Sequence, residues 1–151
     1  MANRSSARAS QSDGHTSALH KLHRASQFAS DLFSGEMQDI DITPRQFAVL
    51  ETVMAQEGLS QTDLVTRTGI DRSTIADIVR RMQRKGLIKR KRTKEDARVY
   101  AVSTTDKSRK IMAKAMPAAV RADKKLLQAL SQQERTRLLQ YLDKMALAAE
   151  S

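Results

Sequence analysis

Between Asp71 and Arg98 the chain gathers residues that hold anions rather than residues that break bonds. In DRSTIADIVRRMQRKG, Ile75, Ile78, Val79 and Met82 fall on one side of a helix at about 100° per residue. Ser73, Asp77, Arg80 and Arg84 fall near the opposite side, flanked by Arg72, Thr74 and Arg81. The unbroken basic run Lys89-Arg90-Lys91-Arg92 follows, then Lys94, Asp96 and Arg98. From Arg72 to Arg98, eleven basic residues stand against three acidic ones, a net of +8 in a chain whose formal net charge is +10. A duplex presents a regular array of phosphates, and neutralising them releases counterions, so such a patch favours double-stranded DNA. Charge runs are usually no more than solvated faces. Here the run coincides with elements that would aim it.

Those elements can be traced outward from the patch. Ser60 and Asp63 can cap a short helix carrying Leu64 and Val65 inward, which ends near Thr68-Gly69 where glycine accepts a left-handed turn. Ile70 plugs the turn, Asp71 caps the second helix, and Gly86 ends it. The period then changes. Leu87-Ile88 and the basic run, a turn-rich stretch over residues 93–97, and Val99-Tyr100-Ala101-Val102 spell a β-hairpin, or wing.

A helix-turn-helix, the run GLIKRKR, a turn containing DAR and a strand, preceded by ITPRQFAVLETV, resembles the MarR-type winged helix-turn-helix regulators. The resemblance covers most of the chain, from about His15 to Ala149. It implies a mainly α winged helix-turn-helix fold in the order α-α-α-α-β-β-α-α, with terminal helices that form a dimerisation domain.

Apolar residues of the first helix, over residues 16–36, recur at threes and fours: Leu19, Leu22, Phe28, Ala29, Leu32 and Phe33. Thr43, Pro44 and Gln46 form a capping box for the next helix, whose apolar stripe is Phe47, Leu50, Val53 and Met54. Beyond the wing, a long helix is expected over residues 106–130, kinked at Pro117. Ser131 and Glu134 cap a last helix that buries Leu138, Leu139, Leu142, Met145 and Ala146. These terminal helices exceed what one small helix-turn-helix core can cover. A second copy of the chain is the simplest partner, and a long antiparallel pair within one chain is the alternative. The expected organisation is an arm over residues 1–14, a dimerisation helix over 15–42, a DNA-binding lobe over 43–103 and dimerisation helices over 104–151.

Composition narrows the field. At 151 residues the chain is one domain's worth, with no cysteine and so no disulfide, thiolate-bound zinc or reactive thiol. No apolar run reaches the length of a membrane span, and the first residues lack the apolar core of a secretion signal, so a cytoplasmic protein is expected. No basic helix carries bulky aromatic anchors, which argues against a membrane surface. There is no glycine-rich phosphate loop, paired-carboxylate cleft or nucleophile beside a placed base, so no enzyme is expected. No cofactor is implied.

On a two-fold dimer, two recognition helices would enter major-groove half-sites one helical turn apart, on an inverted repeat. Arginines suit guanine edges, and hydroxyls suit phosphates or thymine methyls. Ser73, Thr74, Arg80 and Arg84 are assigned to the major groove, with Arg72 and Arg81 on phosphates. Asp77 either accepts from cytosine or orients Arg80 or Arg81, three and four residues on. In the wing, Arg90, Lys91, Arg92 and Lys94 are candidates. The resemblance implies that Asp96 steadies the wing while Arg98 enters or borders the minor groove. Thr104-Thr105-Asp106-Lys107-Ser108 departs from the family's Leu-Thr-x-x-Gly pattern, which puts only local packing in question.

The resemblance also implies a repressor released by a small molecule, usually an anionic aromatic, bound between the DNA-binding lobe and the dimer helices. A carboxylate could pair with Arg24 beside His20, and a ring could stack on Phe28 or Phe47. Alternatively these phenylalanines are core and His20 and Arg24 are solvated. His15, His20 and His23 invite a metal, but no acid completes four ligands at clear spacing, Asp13 being the nearest, and no metal site is assigned. A metal-responsive regulator and a non-specific DNA-packaging winged-helix protein stand as alternatives.

Overall fold

The computed structural model describes residues 17–149. The arm expected over residues 1–14, and His15, lie outside that range. In chain order the elements are α1 (Ala18–Glu36), α2 (Pro44–Ala55), α3 (Gln61–Thr68), α4 (Arg72–Arg84), β1 (Ile88–Arg92), β2 (Tyr100–Thr104), α5 (Asp106–Leu126) and α6 (Gln132–Ala148). The order is the expected winged helix-turn-helix.

Helix starts follow their caps. Thr43 with Gln46, Ser60 with Asp63, Thr105 with Ser108 and Ser131 with Glu134 each form a reciprocal capping box. Each box satisfies backbone amides that the first turn leaves without partners. Ser17 caps α1 by accepting from the His20 amide at 3.2 Å, so this helix begins two residues later than residue 16. Gly69 closes α3 at φ +67°, a left-handed conformation that costs a side chain a clash.

The core lies where α2, α3, α4, α5 and the foot of the hairpin meet. Val49, Leu50 and Val53 of α2, Leu64 of α3, and Ile75, Val79 and Met82 of α4 are buried against Leu87, Ile88, Val102, Met112 and Ala115. The inward face of α4 is thus the one its periodicity indicates. Met54 is the exception in α2: it stands in the last turn of the helix and is 41% exposed.

The hairpin pairs β1 with β2 antiparallel, Ile88 opposite Thr104 and Arg92 opposite Tyr100. Its second strand begins one residue after Val99 and runs two past Val102. The Val99 amide is taken by the Asp96 carbonyl at 3.0 Å and so belongs to the turn. Leu59 adds an isolated bridge to Val102 on the free edge of β2.

Two expectations about the terminal helices need correction. First, α5 ends at Leu126 rather than continuing to residue 130. Arg135 of α6 donates through Nε to the carbonyls of Leu127 and Leu130, at 3.1 and 3.0 Å, and so stabilises a turn there. Pro117 lies inside α5 without ending it. Second, the apolar stripe of α6 is not buried within one chain. Leu138 is half-buried, while Leu139, Leu142, Met145 and Ala146 are exposed, Leu139 by 53% and Met145 by 54%. No other element among the described residues packs along α6. Leu19, Leu22 and Phe28 of α1 are likewise exposed. The rest of α1 packs on α5, where the Glu36 carboxylate accepts from Arg121 at 2.8 Å and from Lys125.

Candidate nucleic-acid interface

The outer face of α4 starts at its cap. The Asp71 carboxylate accepts from the Thr74 amide at 2.9 Å and from the Ser73 hydroxyl at 2.8 Å. These bonds, the Thr74 contacts first, push its pKa down to about 2. The far end is tied to α5: Thr105 donates to the Gly86 carbonyl and Lys107 to the Lys85 carbonyl, both at 2.7 Å. Held at both ends and buried along Ile75, Val79 and Met82, the helix has a fixed rotation.

That rotation leaves Arg72, Ser73, Arg80, Arg81 and Arg84 exposed, with Thr74 and Asp77 half-buried beside them. Asp77 accepts from Arg80 at 3.0 Å and from Arg81 at 2.8 Å. The hydrogen bond from Arg80, then the charge of Arg81, holds its carboxyl below the usual range. Both guanidinium groups stay more than half exposed. Such surface pairs contribute little stability. They fix direction instead: two long side chains with many rotamers are gathered toward one carboxylate.

In the hairpin, Arg90 lies over the Tyr100 ring, 4.4 Å from its centroid, and Arg92 lies 5.6 Å from the same centroid while donating to the Tyr100 hydroxyl at 3.2 Å. Cations stack favourably on an aromatic face. Nε of Arg90 is buried with no hydrogen-bond partner among the described residues. At the tip, the Asp96 carboxylate accepts from the Arg98 amide at 2.9 Å, and its own amide donates to the Thr93 hydroxyl at 3.2 Å. The Asp96 side chain thus organises the turn, and Arg98 is left exposed. Lys91, Lys94 and Arg98 are exposed and in no ion pair among the described residues.

A helix-turn-helix with a cationic outer face, followed by a two-stranded basic wing, is matched by known proteins. The model described as the MarR family matches residues 40–99. The transcriptional repressor CouR, solved bound to a 23-mer DNA duplex, is 30% identical, with a TM-score of 0.78 over 86% of this chain and 92% of that chain. This chain belongs to the MarR family. Transcriptional regulator HosA of Escherichia coli O157:H7 is 29% identical over 128 residues, 85% of this chain and 93% of HosA. BpsR of Bordetella bronchiseptica, whose DNA binding is regulated by 6-hydroxynicotinic acid, is 26% identical, with a TM-score of 0.83 over 88% of this chain and 95% of that one. The protein is accordingly a MarR-family transcriptional regulator.

A cavity of about 430 Å³ lies between α1, α2 and α5. Its wall includes Phe33 and Phe47, whose rings meet edge to face with centroids 5.6 Å apart. Ser26 and Ser30 of α1, Met116 and Val120 of α5, and the carboxylates Glu51 and Asp123 complete much of the lining. Of the candidate effector residues, Phe47 lines this cavity and is buried. His20, Arg24 and Phe28 do not line it and are exposed. At about 100° per residue they lie on the side of α1 away from Ser26, Ala29, Ser30 and Phe33. Phe33, which the sequence places only on the apolar stripe of the first helix, and Glu51, which nothing in the sequence marks, were not among the candidate effector residues, although Phe33 stands one helical turn beyond Ala29 on the inward side. Tyr100 was also missed; an aromatic strand residue opposite an Arg-x-Arg run is the signal that marks it. Among the described residues no group of three His, Asp or Glu side chains is placed to hold a metal ion. No helix among them is long and apolar enough to cross a membrane.

Proposed function

We propose that the protein is a cytoplasmic homodimeric repressor that binds an inverted-repeat operator and leaves it when a small aromatic acid enters the cavity between α1, α2 and α5. The observation that carries this is the clamped α4, whose outer face presents Arg72, Arg80, Arg81 and Arg84 beside a wing presenting Lys91, Lys94 and Arg98. In this reading Ser73, Thr74, Arg80 and Arg84 meet base edges, Arg72 and Arg81 meet phosphates, and Arg98 borders the minor groove. Residues 43–103 form the reading lobe. Residues 15–42 and 104–151 pair with a second copy, which covers the exposed Leu19, Leu22, Phe28, Leu139, Leu142 and Met145.

The ligand's acid group needs a cation, and the ionisable groups in the cavity lining are Glu51 and Asp123. The outward His20 and Arg24 of a second copy are the available source. Ligand binding then acts by favouring a dimer shape in which the two α4 helices are wrongly spaced. BpsR and its response to 6-hydroxynicotinic acid support the ligand class.

The test is selection of duplexes from a random library by the purified chain, followed by competition and titration with 6-hydroxynicotinic acid. A recovered inverted repeat, preferred over random DNA by about 10³-fold or more, is expected of a regulator. Equal affinity for every duplex would point to a packaging protein. Release by 6-hydroxynicotinic acid is expected of the ligand class, and release by zinc would point to the metal-responsive alternative.

A further inference from the structure

The foot of the hairpin is held from outside the hairpin. At the turn after α2, the Gly58 amide donates to the Val102 carbonyl at 2.9 Å, and the Val102 amide donates to the Leu59 carbonyl at 2.8 Å. One residue earlier, the Glu57 carboxylate takes both donors of Thr104: the amide at 2.9 Å through Oε2 and the hydroxyl through Oε1. The Thr104 hydroxyl accepts in turn from Arg109 of α5 at 2.7 Å, and Arg109 also donates to Asp106 at 2.8 Å. Thr104 is only 2% exposed, whereas the side chains of Glu57 and Arg109 are each nearly half exposed. One buried hydroxyl is therefore the meeting point of the turn after α2, the last residue of β2 and the first turns of α5. The helices α2 and α5 are also two walls of the cavity.

The core does not require this arrangement. Thr104 faces Ile88 across the ladder, and an apolar side chain of its size would fill the same space. A charged acceptor spent on a strand end, with a guanidinium on the same hydroxyl, fixes direction. Beyond Thr104 the hairpin runs outward to a tip at residues 93–99. A strand rises about 3.3 Å per residue, so a small change of angle at its foot displaces Arg98 by several times the same change at Thr104.

We propose that Glu57, acting through Thr104 together with Arg109, is the positioning residue of the wing: it sets the angle at which Arg98 meets DNA. This rests on the DNA-binding reading above and adds a role to residues that touch no nucleic acid.

The test is a double-mutant cycle on affinity for the best duplex recovered by the wild-type protein. Thr104→Val removes the shared hydroxyl at nearly constant volume, and Thr104→Ser restores it. Thr104 and Arg98 are separated by the four steps of β2, about 13 Å, and then by the start of the turn, a separation at which substitutions ordinarily add. If Glu57 and Thr104 work through the wing, Thr104→Val weakens binding about tenfold in the wild-type background, the worth of one lost charge-assisted hydrogen bond. In the Arg98→Ala background it then has no further effect, and Thr104→Ser recovers wild-type affinity. Effects that multiply, or a Thr104→Val protein that binds as wild type does, would overturn the proposal.

Glu57→Gln guards against a Thr104 variant that fails to fold, because Glu57 is half exposed and keeps its shape. Hydrogen exchange at the amides of residues 88–104 should quicken about tenfold in Glu57→Gln, with α6 unchanged. Equal rates in the hairpin would equally overturn it. A wild-type chain that recovers no duplex would remove the DNA-binding proposal, and hydrogen exchange would still decide the role of Glu57.

Discussion

Asp77 is an acid on a face that is otherwise cationic, and its two ion pairs explain its presence. By holding Arg80 and Arg81 it subtracts one charge from the attraction to any phosphate and adds direction to two side chains. Asp77→Ala should raise affinity for random duplex by roughly three- to tenfold while the preference for the selected duplex falls, as competition binding at fixed salt would show. Arg98→Ala should weaken binding to the selected duplex about tenfold and leave the sedimentation coefficient unchanged. Asp71 makes the cap acid-sensitive. Its pKa is lowered from 3.8 to about 2, so its contribution to stability is complete above about pH 4 and lost as pH falls through about 2. Asp71→Asn keeps the cap without the titration. The gap in melting temperature between the two proteins should close over that acid window and stay constant above it.

At the scale of elements, most boundaries were legible because local chemistry sets them. Three of the four capping boxes and the glycine after α3 are written in adjacent residues, whereas the box of Thr105 with Ser108 carries a serine where Glu or Gln would mark it. Gly69→Ala, forced to a φ near +67°, should lower stability by about 1–2 kcal/mol in a denaturant titration. The end of α5 and the start of β2 were not legible, since the bonds that decide them, from Arg135 to the Leu127 and Leu130 carbonyls and from the Val99 amide to the Asp96 carbonyl, are marked by no residue type. Glu57 shows the same limit. Nothing around it in the sequence distinguishes a solvated glutamate from one that reaches Thr104, 47 residues away.

For the whole molecule, the outward face of α4 was legible and the lining of the cavity was not. The face of α4 follows from periodicity, because one buried stripe fixes which residues are left outside. The first helix has apolar residues on more than one side. Its period alone could not say whether Phe28 or Phe33 turns toward α5, and the structure selects Phe33. The exposed apolar residues of α6 carry the largest expectation at this scale. Leu142→Asp with Met145→Asp should yield a single-chain mass by sedimentation velocity and lower affinity for the selected duplex by about 100-fold or more, since two linked contacts become separate ones.

The core of the lobe around α4 is complete once the chain has reached Ala118, whereas the exposed stripe of α6 comes later in the chain. A nascent chain can therefore finish that lobe before it has the α6 part of the surface through which it would pair. Pairing through α6 would then follow completion of the lobe and depend on how many such copies meet, so the rate of synthesis itself would set the share of chains able to hold both halves of an operator.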